Sequence, residues 1–265
     1  MYVEDVEIAR RGRVGAAVAW RAGELLRDRA GRVEHVDHKG PVDLVTEADR
    51  ASQQRLVTAL REAFPHDTIV AEEDACALQG ESGYVWLLDP LDGTTNFVHG
   101  YLPYAVTVGL LRDGATVWGA VCLPASGELF VAARGAGAWC NGRPIAVSRT
   151  PRLSASLLAT GFPYDRRDHV DALLQPVRRA ILSAHGFRRS GSAAYDLCCV
   201  ACGRLDGFWE RGLKPWDLAA GCLLVEEAGG RVTDFDGGCH DLQAGRTVAS
   251  NGRIHEEMLQ VLLGA

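Results

Sequence analysis

At 265 residues the chain has room for one large domain or two closely packed ones, and 47% hydrophobic with 23% charged residues is the mix of a folded globular protein, not a disordered one. A net charge of −6 argues against nucleic-acid binding and against a polybasic membrane patch. No segment approaches the roughly 18 unbroken apolar residues of a membrane span. The start is acidic, and the apolar run Val14 to Trp20 is flanked by Arg11, Arg13 and Arg21, so it reads as part of an amphipathic helix, not a leader, which predicts a cytoplasmic protein.

Val3, Val6, Val14, Val18 and Leu25 recur at loosely helical spacing and predict a surface helix over the first thirty residues. Thr46-Glu-Ala-Asp49 has the form of a capping box and opens a second helix toward Phe64, stopped by Pro65. Thr68 to Glu72 and Tyr84 to Asp89 are short strand-like runs ending in acids. From Tyr104 to Val147, Val, Thr, Leu and Trp segments are punctuated by Asp113-Gly114, Ser126-Gly127 and Asn141-Gly142, which predicts an antiparallel sheet. Beyond Pro151, strands and helices alternate: 154–160, 168–183, 192–202, 205–210, 217–228, 231–234, 247–249 and 254–263. With no linker or repeat, the pattern predicts an α+β architecture of helices covering sheets. Residues 1–150 form an α+β part with the antiparallel sheet, and 151–265 an α/β part packed tightly against it.

The eight cysteines are scattered through a chain large enough to hold itself together, which predicts reduced, mostly buried thiols. Cys199-Val-Ala-Cys202 lies in an apolar helical stretch without a second pair at zinc-ribbon spacing, so core packing is its expected role. His35 and His38 are read as a surface pair.

The acids carry the chemistry. In Trp86-Leu-Leu-Asp-Pro-Leu-Asp-Gly-Thr-Thr-Asn-Phe97 a strand delivers Asp89, Pro90 ends the ladder, and Asp92 precedes Gly93 and two threonines. A helix beginning at Thr94 would turn its unpaired N–H groups toward both aspartates. Carboxylates hold hard divalent cations and amides hold phosphate oxygens; the plain alternative makes Asp92 a helix cap and Asp89 a turn residue. Glu72-Glu73-Asp74, Asp43 and Asp217 also stand at strand ends or helix starts. Two like charges about 4 Å apart repel by about 4 kcal/mol at an effective dielectric of 20, so gathered acids need a cation or a proton. All-oxygen ligation points to Mg²⁺ or Mn²⁺.

Asp43-Leu-Val-Thr-Glu-Ala-Asp49, Ala71-Glu72-Glu73, Trp86 to Phe97 and Trp216-Asp-Leu-Ala-Ala-Gly221 resemble the signature segments of the inositol monophosphatase family, part of the Mg²⁺-dependent, lithium-sensitive phosphatase superfamily. The likeness continues through Gly191-Ser-Ala-Ala194, Gly203 to Glu210 and Glu226 to Gly230, with Ala71 where the family often has Gly. Thr160 to Pro163 and Arg188 to Ser192 look most like the bacterial members.

The resemblance implies a layered αβαβα sandwich, a homodimer and two or three Mg²⁺ ions. One ion would sit on Glu72, Asp89 and the Leu91 carbonyl, a second on Asp89, Asp92 and Asp217, and a weaker third near Glu72. Asp43 and Thr94 would orient the attacking water, with Glu72 among the catalytic residues. The backbone of Leu91, Asp92, Gly93 and Thr94 would cradle phosphate, and Gly191, Ser192, Ala193, Glu210 and Asp217 would meet a small phosphorylated polyol or sugar. The expected reaction is in-line hydrolysis of inositol 1-phosphate by a metal-activated water. Alternatives are fructose-1,6-bisphosphatase, histidinol phosphatase or nucleotide 3′-phosphatase activity on the same fold, Arg188 and Arg189 meeting a second phosphate, or a binding role with transcription or ribosome machinery.

Overall fold

Residues 5–32, 36–38, 44–73 and 79–264 are described by the computed structural model, so the expectations for Asp43, Asp74, Cys76 and His35 lie outside the described residues. Helix α1 (Val6–Arg29) starts where Asp5 accepts the Glu7 and Ile8 amides and ends with Arg27 and Arg29 at its negative pole. Ile8, Gly12, Gly15, Ala19, Ala22 and Leu26 form its buried stripe. The stripe carries glycine where the helix meets Trp118: a Cβ at Gly12 or Gly15 would lie 2.6 Å from the indole. Strands β1 (Val36–His38) and β2 (Leu44–Thr46) pair antiparallel. Helix α2 (Glu47–Ala63) opens with the Thr46–Asp49 capping box and closes at Phe64, just before Pro65.

Strands β3 (Thr68–Ala71) and β4 (Tyr84–Asp92) are parallel neighbours, with Ala71 opposite Leu88. After the short helix α3 (Thr94–Val98), the chain runs antiparallel through β5 (Ala105–Arg112), β6 (Ala115–Leu123), β7 (Glu128–Ala133), β8 (Gly137–Cys140) and β9 (Arg143–Pro144). The result is a seven-stranded sheet in simple order β3 to β9. Its β5–β6 and β8–β9 turns place Asp113 (φ 53°), Gly114 (φ 80°), Asn141 (φ 48°) and Gly142 (φ 74°) in the left-handed region.

The second half begins with a 3₁₀ turn at Leu153–Ala155, where the sequence predicts strand, before β10 (Leu157–Thr160). Helix α4 (Val170–Ser183), β11 (Gly186–Arg188), α5 (Ala193–Ala201), β12 (Gly207–Arg211), α6 (Pro215–Glu227), β13 (Arg231–Thr233), β14 (Arg246–Ser250) and α7 (His255–Leu263) follow. The sheet order is β11-β10-β12-β14-β13, parallel on both sides of β10 and antiparallel beyond.

Helices α1 and α2 cover one face of the seven-stranded sheet, α5 and α6 fill the space between the sheets, and α4 and α7 pack on the far side. The layers are therefore αβαβα, the architecture the resemblance implies. Three apolar clusters occupy the interfaces, around Trp86 and Trp118, around Leu197 and Leu223, and around Trp209 and Met258. Helix α6 is buried continuously from Leu218 to Val225, as a helix wedged between two sheets requires.

Candidate active site

Strand β4 carries Asp89 to a place where it is 2% exposed. The Leu91 N–H donates to Asp89 Oδ1 at 2.9 Å, the Ser52 hydroxyl donates to the Pro90 carbonyl at 2.8 Å, and the β4–β5 register shifts between Asp89 and Asp92. Proline has no N–H for the ladder, so the pairing is interrupted here, but the ladder does not end at Pro90 as the sequence suggests: β4 continues and Asp92 pairs with Ala105. Glu72 follows β3 directly, its amide donating to the Leu88 carbonyl at 3.2 Å. Asp217 lies in the first turn of α6, Oδ2 accepting the Lys214 N–H at 2.7 Å, and the Thr107 hydroxyl steadies that turn through the Trp216 carbonyl. One carboxylate oxygen from each of Glu72, Asp89 and Asp217 falls within 4.8 Å of the others.

Burial, followed by the Glu72 charge, pushes Asp89 and Asp217 well above the ordinary carboxylate range. These crowded acids are oxygen donors only, and their arrangement fits a hard divalent cation. Asp92 is turned differently. Burial raises it to about 6, while the Ser192 hydroxyl (2.6 Å) and the Ala194 N–H (2.7 Å) both donate to its Oδ2. Asp92 thus caps α5 from across the cleft; the cap of α3 is Gly93, at φ 91°. A Cβ at Gly93 would lie 3.3 Å from both the Pro103 carbonyl oxygen and the Ser192 side chain.

The Thr94 hydroxyl lies 3.0 Å from Asp49 Oδ1 and 3.1 Å from the Leu91 carbonyl, either of which accepts its hydrogen. Asp49 is 1% exposed, and its Oδ2 also serves the capping box, accepting the Thr46 N–H and hydroxyl. The expected partner of Thr94, Asp43, is outside the described residues; among them, the carboxylate that meets Thr94 is Asp49. The capping box accounts for Oδ2 alone, so the sequence signal for Asp49 hid its second contact.

A cleft of ≈ 180 Å³ joins this cluster to Gly93, Thr94, Gly191, Ser192, Ala193 and Glu210. Glu210, on β12, is 8% exposed, not solvated, and burial raises its pKa well above normal. It fits because residue 161 is glycine: a Cβ there would lie 1.9 Å from Glu210 Oε2. Arg189 lines the cleft, whereas the Arg188 guanidinium donates to the Phe187 carbonyl at the surface. Asp196, which the sequence reading passes over, lines the cleft as well. Cys198 and Cys199 are buried on α5, Cys202 is half-buried, and burial raises all three thiols, consistent with packing.

The model of the inositol monophosphatase family matches residues 11–263. The inositol-1-monophosphatase of Synechocystis sp. is 47% identical over 242 residues, covering 91% of this chain and 84% of its own. The Pseudomonas aeruginosa Nus factor SuhB is 42% identical over 255 residues, covering 94% of each chain. The solved inositol monophosphatase of Anabaena (Nostoc) sp. superposes with a TM-score of 0.89 at 41% identity, covering 98% of both chains. The chain belongs to the inositol monophosphatase family.

Proposed function

We propose that the protein is a divalent-metal-dependent phosphoric monoester hydrolase that releases phosphate from inositol 1-phosphate. The observation that carries this reading is the meeting of Glu72, Asp89 and Asp217 in one cleft with Thr94 and Glu210. Glu72, Asp89 and Asp217 would hold Mg²⁺, with Asp92 and the Leu91 carbonyl beside them. A divalent cation bound there neutralises phosphoryl oxygens, lowers the pKa of water and stabilises a leaving alkoxide.

The chain's own groups do the remaining work. Thr94 accepts a proton from the attacking water as its own hydrogen passes to Asp49, a relay of the kind that contributes about 10²–10⁴ in rate. Backbone amides around Gly93, whose left-handed φ of 91° turns the chain there, receive the phosphate. Glu210 accepts hydrogen bonds from the hydroxyls of the polyol, with Gly191, Ser192 and Ala193 along the facing wall. A homodimer finds support in exposed apolar side chains such as Tyr101 (58%), Leu102 (54%), Ile181 (61%) and Leu182 (70%). The family resemblance adds lithium inhibition.

The test is phosphate release from inositol 1-phosphate, fructose 1,6-bisphosphate, histidinol phosphate and adenosine 3′,5′-bisphosphate, with Mg²⁺ present or chelated. The highest kcat/KM should fall on inositol 1-phosphate, with Asp89→Asn and Asp217→Asn losing orders of magnitude while remaining folded. Near-native turnover in both variants defeats the assignment. Relatives named Nus factor support a second role in association with transcription machinery, for which partner capture should survive Asp89→Asn.

A further inference from the structure

Side chains alternate along a strand, so while Glu210 of β12 lines the substrate cleft, Trp209 and Arg211 turn to the other face, where Trp209 packs with Val177 and Ala180 of α4. A separate pocket of ≈ 50 Å³ opens on that side, with Phe162, Leu173, Pro176, Trp209 and Phe235 around Arg211. Gly161, Phe162 and Glu210 line both this pocket and the substrate cleft, so the two share a wall. Neither the metal cluster nor the Thr94 relay uses Arg211.

Arg211 lacks an anion. Its Nη2 is buried without a hydrogen-bond partner, and among the described residues no acid forms an ion pair with it. The residue directly opposite on β14 is another arginine, Arg246, and like charges opposed across a strand pair are destabilising. The acid at hand, Asp234, is already taken: Arg246 Nε lies 3.2 Å from its Oδ1, and the Arg246 guanidinium carbon sits 5.3 Å from the centre of the Phe235 ring. One acid thus stands beside two cations, and the cation facing the pocket is left uncompensated. A guanidinium nitrogen withdrawn from water without an acceptor is costly, and native structures rarely keep one without a use.

We propose that this pocket binds a short aliphatic monocarboxylate, whose carboxylate accepts from the Arg211 guanidinium and whose alkyl end lies among Leu173, Pro176 and Phe235. A guanidinium–carboxylate pair is charge-assisted and supplies the acceptor that Nη2 lacks. The apolar and aromatic walls suit an alkyl chain and disfavour a dianion such as sulfate, which one guanidinium cannot replace in hydration. Size is equally restrictive. A water needs roughly 10–15 Å³ of such space, so ≈ 50 Å³ admits roughly three to five non-hydrogen atoms, the size of propionate. The site is separate from the carboxylate cluster, and the proposal does not depend on the phosphatase reading.

The test is binding of propionate to the full-length protein with Mg²⁺ present, read by ligand-observed NMR and by the shift in Tm. Propionate should bind at millimolar concentration and raise Tm. Propionamide, which has the same shape without the charge, and sulfate, which has the charge without the alkyl end, should each bind at least about tenfold more weakly. Arg211→Met should weaken propionate binding by at least about tenfold and remove its effect on Tm. Arg211→Gln carries the same expectation and keeps a polar group on the strand, which protects the test against misfolding of the Met variant. No binding of propionate, equal binding of propionamide or sulfate, or propionate binding that survives both substitutions overturns the proposal. Because no readout is turnover, failure here leaves the phosphatase reading standing, and failure of that reading leaves this site standing.

Discussion

Asp49 has two oxygens with different duties, one closing the start of α2 and the other facing Thr94. Asp49→Asn keeps the shape of the cap but weakens the base, so kcat for inositol 1-phosphate should fall by about 10²–10⁴ with KM little changed. Steady-state kinetics on Asp49→Asn, Asp43→Asn and Thr94→Ala tests this; a larger loss at Asp43 than at Asp49 returns the relay to Asp43. Charge in the cleft also has a thermodynamic signature. Asp92 at about 6 and Asp196 at about 7 hold their protons more tightly in the folded chain than an ordinary aspartate does. Protonation of such groups favours the fold fully below about pH 4, and that advantage disappears as pH rises through about 6 to 7. A cation on the neighbouring carboxylates should therefore stabilise the fold more at pH 8 than at pH 5. Binding at about a hundred times Kd contributes about 2.7 kcal/mol, which corresponds to a Tm rise of about 5–10 °C for a domain of this size. A Mg²⁺-induced shift in thermal unfolding that is larger at pH 5 than at pH 8 contradicts this picture.

Elements with strong local chemistry were readable from sequence alone. The Thr46 capping box and the Asp113-Gly114 and Asn141-Gly142 turns stand where their residue types place them, whereas β4 runs past Pro90 to Asp92 through a register shift where the sequence reading ends the ladder. Strands β1, β2 and β11 have three residues each, too few for an alternating pattern to stand out, and pairing with neighbours defines them. The contacts hardest to read were those between elements, including Thr94 with Asp49 and Asp92 with the start of α5, because no spacing along the chain encodes them. Glycines mark some of these approaches. Gly161→Ala should push Glu210 aside and raise KM for inositol 1-phosphate well beyond any change with p-nitrophenyl phosphate. Equal kinetics on the two substrates would remove Glu210 from polyol recognition. Gly15→Ala gains about 1 kcal/mol of helix propensity yet drives a methyl into Trp118. Because overpacking costs about 1–3 kcal/mol, urea unfolding should show net destabilisation, and a stabilised variant would mean that α1 moves easily on the sheet.

At the scale of the whole molecule, the site is a product of layering. Glu72, Asp89 and Asp92 come from the seven-stranded sheet, Glu210 from the five-stranded sheet, and Asp217 from a helix packed between them. The sequence division at residue 150 separates the two sheets but not their cores, since α6 packs on β5 and β6 of the first half. We expect the two halves to unfold together. Fluorescence from Trp86, Trp118, Trp209 and Trp216 and far-UV circular dichroism should report one coincident transition, whereas two resolved transitions would make them independent domains. All of the proposed chemistry depends on acids from separate layers sharing a divalent cation. The most direct measurement is anomalous scattering from a crystal soaked in Mn²⁺: the account predicts a peak among Glu72, Asp89 and Asp217 that disappears in Asp89→Asn, and no density between those carboxylates in the wild type would contradict it.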